Sequence, residues 1–301
     1  MAQERKAGEY MSNIREFKPK HLYLVCIDSD GCVFDTMEIK HKECFCPAYI
    51  EYFGLQAVSK YARDAWEFAN LYSAWRGVHR LPVMLKSLEL LAARKEVVQR
   101  GFVPPAMEHL RRYVNEGNPL NNDGLESYLQ AHPQAEDIRI TLEWSRETNL
   151  RINRMVHGVP PFPHVREALE RLSGVADIVI VSATQQLSLE REWKEHGLLD
   201  KVSLVCGQES GSKKQIIEAL KVHYDADHVL MIGDAPGDQK AAQDNGVLFY
   251  PICPDQEAES WEAFDACFDA VLEGTYRDGI EKETIAQFEM LLPVQPKWET
   301  V

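Results

Sequence analysis

No apolar run in this 301-residue sequence approaches the roughly 18 residues that a membrane-crossing helix needs. The first twenty residues are polar and lack the apolar stretch of a secretory signal, so a cytoplasmic protein is expected. Cysteines are few and badly spaced for a metal. The seven are an odd number, none forms a Cys-x-x-Cys pair, and Cys44 and Cys46 fall within a predicted helix. Reduced, buried thiols follow, and neither a disulfide framework nor a zinc site does. Positive charge is also in deficit: 33 Lys and Arg stand against 47 Asp and Glu, a net charge of −14. That balance excludes a general nucleic-acid binder, whose footprint is a basic face. Glycine and proline, at 17 and 15 residues, are too few for a collagen-like or low-complexity chain.

What remains is a soluble globular composition, 45% apolar and 27% charged, in a chain long enough for two domains with sizeable cores. Residues 22–27 form a short continuous apolar run, the mark of a strand buried on both faces, which stops at Asp28-Ser29-Asp30-Gly31. From 36 to 158 the pattern changes to long helical periods rich in aromatics. Helices are expected there near 58–76, 83–98, 105–116 and 136–156. After Pro160-Pro161-Phe162-Pro163, strands at 178–181, 202–205, 229–232 and 247–250 alternate with helices at 165–172, 186–196, 213–222 and 238–245. Alternation of this kind predicts βαβ units, hence a parallel sheet with helices on both faces. Charge divides along the same line: residues 36–158 carry a net +1 and the rest of the chain a net −15.

In an open parallel sheet, ligands bind at the carboxyl ends of the strands. Asp28-x-Asp30-Gly31 follows the first strand here, and Ser182 follows the second, with Thr184 close behind. Gly233-Asp234 follows the strand at 229–232, Asp238 lies four residues on, and Lys213 starts the helix between them. Carboxylates gathered at one sheet edge repel each other unless a cation neutralises them. An all-oxygen set suits Mg2+, which binds through a few carboxylates plus phosphate. Asp28 would then act as nucleophile on phosphorus, giving an aspartyl-phosphate. Asp30 would protonate the leaving oxygen and later activate water. Ser182 would hydrogen-bond a phosphoryl oxygen and Lys213 would offset its charge. Singly, each motif reads equally well as a turn, a helix cap or a solvated lysine; their order and common place at strand ends carry the reading.

In that order, Asp28-x-Asp30-Gly31, Ser182, Lys213 and Gly233-Asp234-x-x-x-Asp238 resemble the haloacid dehalogenase-like superfamily, over about residues 21–35 and 160–252. The resemblance implies an α/β fold: a Rossmann-like parallel-sheet core of residues 1–35 and 159–301, with an all-helical cap domain inserted at 36–158. It implies Asp28 as nucleophile, Asp30 as general acid/base, and Ser182 and Lys213 as phosphate binders. It also implies a Mg2+ site from Asp28, Asp234 and the main-chain carbonyl of Asp30, with Asp238 supporting or ligating. Two positions depart from the family pattern. Cys32 stands where threonine is usual, at a position that contributes through its backbone, and Lys213 is followed by Lys214 where capped relatives commonly have proline.

The leading expectation is a Mg2+-dependent phosphatase acting on a small phosphorylated metabolite, with no nucleic-acid or membrane partner, as a monomer or homodimer. A sugar-phosphate mutase using the same intermediate and a non-catalytic regulator that binds a phosphorylated ligand are the alternatives. Asp30 speaks against dehalogenase chemistry, which relatives carry out without an acid at that position. Within the insert, Arg76, His79 and Arg80 have the spacing of one helix face, either a recognition patch for a second anionic group or a solvated surface. The aromatics between Tyr49 and Trp75 read as core of the insert or wall of a pocket. Trp261, Phe264 and Phe268 read as the buried face of a C-terminal helix.

Overall fold

The computed structural model describes residue 14 and residues 16–299; of the polar first twenty residues, residues 1–13 and 15 lie outside the described residues. The chain divides into two compact units. One comprises the described residues up to Thr36 together with Gly158–Leu291, and the other Met37–His157 joined by the segment that begins at Leu292.

The first unit is built on five parallel strands, β1 (Tyr23–Ile27), β2 (Ala176–Val181), β3 (Leu204–Cys206), β4 (Val229–Gly233) and β5 (Leu248–Pro251), in the order β3-β2-β1-β4-β5. All five expected strands are present. Their apolar runs are continuous because β1, β2, β4 and β5 lie almost wholly inside the unit, covered on both faces. In register, Ile27 sits beside Ile180 on one side and Ile232 on the other, so the three chains leave the sheet at one edge.

Helices are numbered through the whole chain. Of those in this unit, α9 (Val165–Ser173), α10 (Gln186–Glu195) and α13 (Glu257–Leu272) bury Val165, Leu169, Trp193, Trp261, Phe264 and Phe268 in its core. The tryptophan–phenylalanine face of α13 is therefore buried as its spacing predicts. Two further helices are α11 (Lys213–Leu220) and α12 (Pro236–Asn245), and a sixth, α14 (Ile280–Leu291), was not expected. The α14 helix sends the buried Glu281 to accept the main-chain N–H of Phe249 (2.8 Å), a donor of the edge strand β5 that would otherwise lack a partner.

The second unit is helical: α1 (Thr36–Ile39, whose first residue belongs to the other unit), a π-turn at Lys40–Phe45, α2 (Cys46–Tyr52), α3 (Ser59–Leu71), α4 (Arg80–Ala93), α5 (Lys95–Gln99), α6 (Glu108–Asn115), α7 (Asn122–Ala131) and α8 (Glu136–Met155). Its core is aromatic. Tyr49 and Trp66 are 4.9 Å apart and Trp66 and Trp144 5.9 Å, while Phe45 stacks on Trp66 and Phe53 meets Trp144 edge-on. The aromatic segment thus packs as core.

Three expectations are corrected here. Arg76, His79 and Arg80 do not share a helix face: α3 ends at Leu71, Gly77 turns the chain at φ 75°, and α4 begins only at Arg80. Arg76 is buried and donates to the Leu71 carbonyl (2.9 Å), closing the end of α3. His79 caps α4, and the Arg80 guanidinium lies 4.8 Å from the Phe45 ring and donates to Asn149 Oδ1 (2.7 Å). Helix α7 was missed because its start, Asn121-Asn122-Asp123-Gly124, reads as a turn; the Asn121 side chain instead caps the helix by accepting from Gly124 (2.8 Å). Finally, the segment from Leu292 belongs to the helical unit, not with the α/β core. Arg94, itself paired with Asp64 at 2.9 Å, stacks on both Tyr61 (4.9 Å) and Trp298 (4.5 Å), and Trp298 meets Phe68 edge-on.

Candidate active site

The site sits at the shared edge of β2, β1 and β4. Asp28 is the first residue past β1 and is buried; its main-chain N–H donates to the Ile232 carbonyl (3.0 Å), continuing the ladder beyond the strand. The chain then turns sharply. Gly31 takes a positive φ of 75°, which glycine tolerates without strain, and hydrogen bonds Val33 N–H to Ser29 O (2.9 Å) and Gly31 N–H to Phe34 O (2.8 Å) close the loop.

Asp234 follows β4 directly, and Asp238 lies in the first turn of α12, where its Oδ2 accepts the Ala235 N–H (3.1 Å). Carboxylates suit that position, near the positive end of the helix. Gly233 permits the approach: a Cβ there would lie 2.4 Å from the Asp238 carboxyl carbon. Lys213, first residue of α11, reaches Asp28 Oδ2 at 2.7 Å and Asp238 Oδ1 at 2.5 Å. Its neighbour Lys214 turns away to Asp244 (3.2 Å), so the lysine at the acids is Lys213.

Oxygens of Asp28, Asp234 and Asp238, all three buried, lie within 4.8 Å of one another, a grouping that can hold a metal ion. The charges are unbalanced. Burial pushes the Asp238 carboxyl up to about 7, against the pull of Lys213 and with the push of Asp28 and Asp234. Burial works against the charge of Lys213 too, but Asp238 and Asp28 outweigh it and keep the ammonium protonated. Three acids around one lysine leave an excess of negative charge in a place that water does not screen.

Residues 90–251 match the family model described as haloacid dehalogenase-like hydrolase, just over half of the chain. The protein belongs to this hydrolase family. The match contains Ser182, Lys213, Asp234 and Asp238 but begins after Asp28 and Asp30, so it is the folded geometry that brings Asp28 to the other acids. No curated protein matches the chain. Among solved structures it is similar to a haloacid dehalogenase-like family hydrolase from Xanthomonas campestris, with 15% identity, coverage of 86% of this chain and 95% of that one, and a TM-score of 0.46. It is also similar to a HAD-superfamily hydrolase of subfamily IA from Geobacter sulfurreducens (17%, 77% and 88%, 0.41) and to a predicted phosphoglycolate phosphatase from Haemophilus somnus (12%, 76% and 84%, 0.46).

The Asp30 carboxylate is not one of the three grouped acids. Its Oδ1 accepts from the Thr36 hydroxyl (2.5 Å) and its Oδ2 from the Thr184 hydroxyl (2.7 Å). The resemblance assigns Asp30 to the metal through its main-chain carbonyl; its carboxylate lies between the two threonine hydroxyls. Ser182 is buried at the end of β2; its N–H donates to Cys206 O (3.0 Å) and its Oγ accepts the Thr184 N–H (3.3 Å). Thr184 therefore ties the two loops together. Gly207 lets this happen, because a Cβ there would strike the backbone of Gln186 at 2.5 Å. Sequence reasoning noticed Thr184 but gave it no role, and it missed Thr36, for which no local signal exists. Cys32 is wholly buried, its Sγ beside the Ile232 carbonyl (3.8 Å), and burial holds the thiol protonated.

Proposed function

We propose that this hydrolase is a Mg2+-dependent phosphatase that cleaves a small soluble phosphomonoester through an aspartyl-phosphate on Asp28. The observation that carries the reading is the convergence of Asp28, Asp234 and Asp238 within 4.8 Å, beside Lys213. The donor set fits the ion: all ligating atoms are hard oxygens, and the upward-pushed Asp238 carboxyl marks a site short of positive charge. Asp28, Asp234 and Asp238 would hold Mg2+, with the main-chain carbonyl of Asp30 as a further oxygen. Bound there, the ion would offset charge on the phosphoryl oxygens.

The chain's own groups divide the remaining work. One carboxylate oxygen of Asp28 attacks phosphorus while Lys213 and the Ser182 hydroxyl hold phosphoryl oxygens in place. The phosphorus–oxygen ester bond breaks, and protonated Asp30 gives its proton to the departing oxygen. In the second half, Asp30 takes a proton from water, the hydroxide attacks phosphorus, and Asp28 is released with inorganic phosphate. The Thr36 and Thr184 hydroxyls fix the Asp30 carboxyl throughout. The acid excess of the α/β unit supports a small soluble substrate over nucleic acid.

Purified protein with Mg2+ is expected to release inorganic phosphate from a generic aryl phosphate and to stop on addition of a chelator. No phosphate release across a panel of phosphomonoesters would overturn the reading, and return of the phosphoryl group to the substrate would replace it with mutase chemistry. Gly233→Ala gives a finer test. The added methyl must displace the Asp238 carboxyl, and a misplacement of about 1 Å is expected to lower kcat/KM by about 10²-fold. Thermal melting run in parallel would show that the fold survives.

A further inference from the structure

Ser29, between the two aspartates of the first loop, is wholly buried, and hydrogen bonds engage its N–H, its carbonyl and its hydroxyl. Its N–H donates to Asp28 Oδ1 (2.8 Å), and its carbonyl accepts from Val33 (2.9 Å) and Phe34 (3.1 Å). Its hydroxyl accepts the indole N–H of Trp193 (3.0 Å) and donates to Glu192 Oε2 (3.3 Å). Trp193 comes from α10, far along the chain, and is itself fully buried with its ring edge-on to Phe34 at 5.7 Å. Packing alone would satisfy the ring. The indole N–H, its one polar atom, is directed at the residue whose backbone holds Asp28 and whose next neighbour is Asp30.

We infer that Trp193 is a positioning residue: its N–H locks the rotation of Ser29 and so sets the direction of the Asp28 carboxylate. The inference rests on the phosphatase reading. On the phosphatase reading the phosphoryl group is held by Lys213 and Ser182, whereas Trp193 bonds Ser29 and packs on Phe34, so its loss acts on the chemical step. Trp193→Phe keeps an aromatic ring in the core and removes the N–H. It is expected to lower kcat about tenfold, the cost of a slightly misdirected nucleophile, with KM changed less than about twofold. Ser29→Ala removes the acceptor and is expected to do the same. The double variant is expected to be no slower than Ser29→Ala, because that change already deletes the Trp193 bond along with the one to Glu192.

The assay is initial-rate aryl phosphate hydrolysis at saturating Mg2+, with thermal melts of each variant. Ser29→Ala, a small-for-small change, serves if Trp193→Phe fails to fold. Full kcat in either variant overturns the inference, and so does a rise in KM at constant kcat or losses that multiply in the double variant. An inactive wild-type protein would instead bring down the phosphatase reading.

Discussion

Asp28→Asn is expected to lower phosphate release by on the order of 10⁴-fold or more, since no other group in the site can take the place of the nucleophile. Asparagine has nearly the shape of aspartate, so the variant should fold, and its melting behaviour carries a second signature. In metal-free wild-type protein, Asp238 holds its proton up to about 7 against an ordinary value of 3.8, because of burial and, in part, because Asp28 lies beside it. A folded-state value raised in this way contributes stability that is fully present below about 4 and lost as pH rises through about 7. Removing the Asp28 charge lowers the Asp238 value and so shrinks that loss. The variant is therefore expected to gain melting temperature on wild type as pH rises from 5 to 8 in the presence of chelator. Full turnover in Asp28→Asn would end the proposed mechanism. A melting temperature that falls relative to wild type as pH rises would show that the three acids do not share one electrostatic site.

The core of this protein is legible in its sequence because parallel strands buried on both faces leave unbroken apolar runs, as β1, β2 and β4 do. The acids are legible for the complementary reason: Asp28 and Asp234 come directly after buried strands, where a carboxylate is costly without a partner. Other features have no local mark. Arg94 stacking on Trp298 joins distant parts of the chain, so nothing in residues 292–299 announces that they belong with the helical unit. Helix α14 earns its place by offering Glu281 to β5, a tertiary contact and not a periodic one. Arg76 and Arg80 show the limit of spacing arguments, since one positive-φ glycine between them dissolves the shared face. Thr184 became visible as a partner of Asp30 only when two separated stretches met, and Thr36 only when the first loop folded back on itself.

Those two threonines shape the second large expected effect. Asp30→Asn keeps the side chain in place, because a hydroxyl can accept as well as donate: Thr184 can turn to receive the new amide N–H while Thr36 continues to donate. What is lost is the transferable proton. A general acid contributes about 10²–10⁴-fold, and most of that is needed when the leaving oxygen is strongly basic. Asp30→Asn is therefore expected to lose that full factor on alkyl phosphates and less in the first step on a nitro-substituted aryl phosphate, whose alcohol departs unaided. The second step still needs a base for water, so the aryl substrate should give a burst of one alcohol per site, followed by slow turnover as phosphorylated Asp28 accumulates. Rapid-quench kinetics would detect the burst, and mass spectrometry of quenched protein would detect the phosphoryl group. Unchanged kcat on an alkyl phosphate would remove Asp30 from the mechanism. A slow aryl reaction without a burst would assign it the acid role alone, with water activated elsewhere in the site.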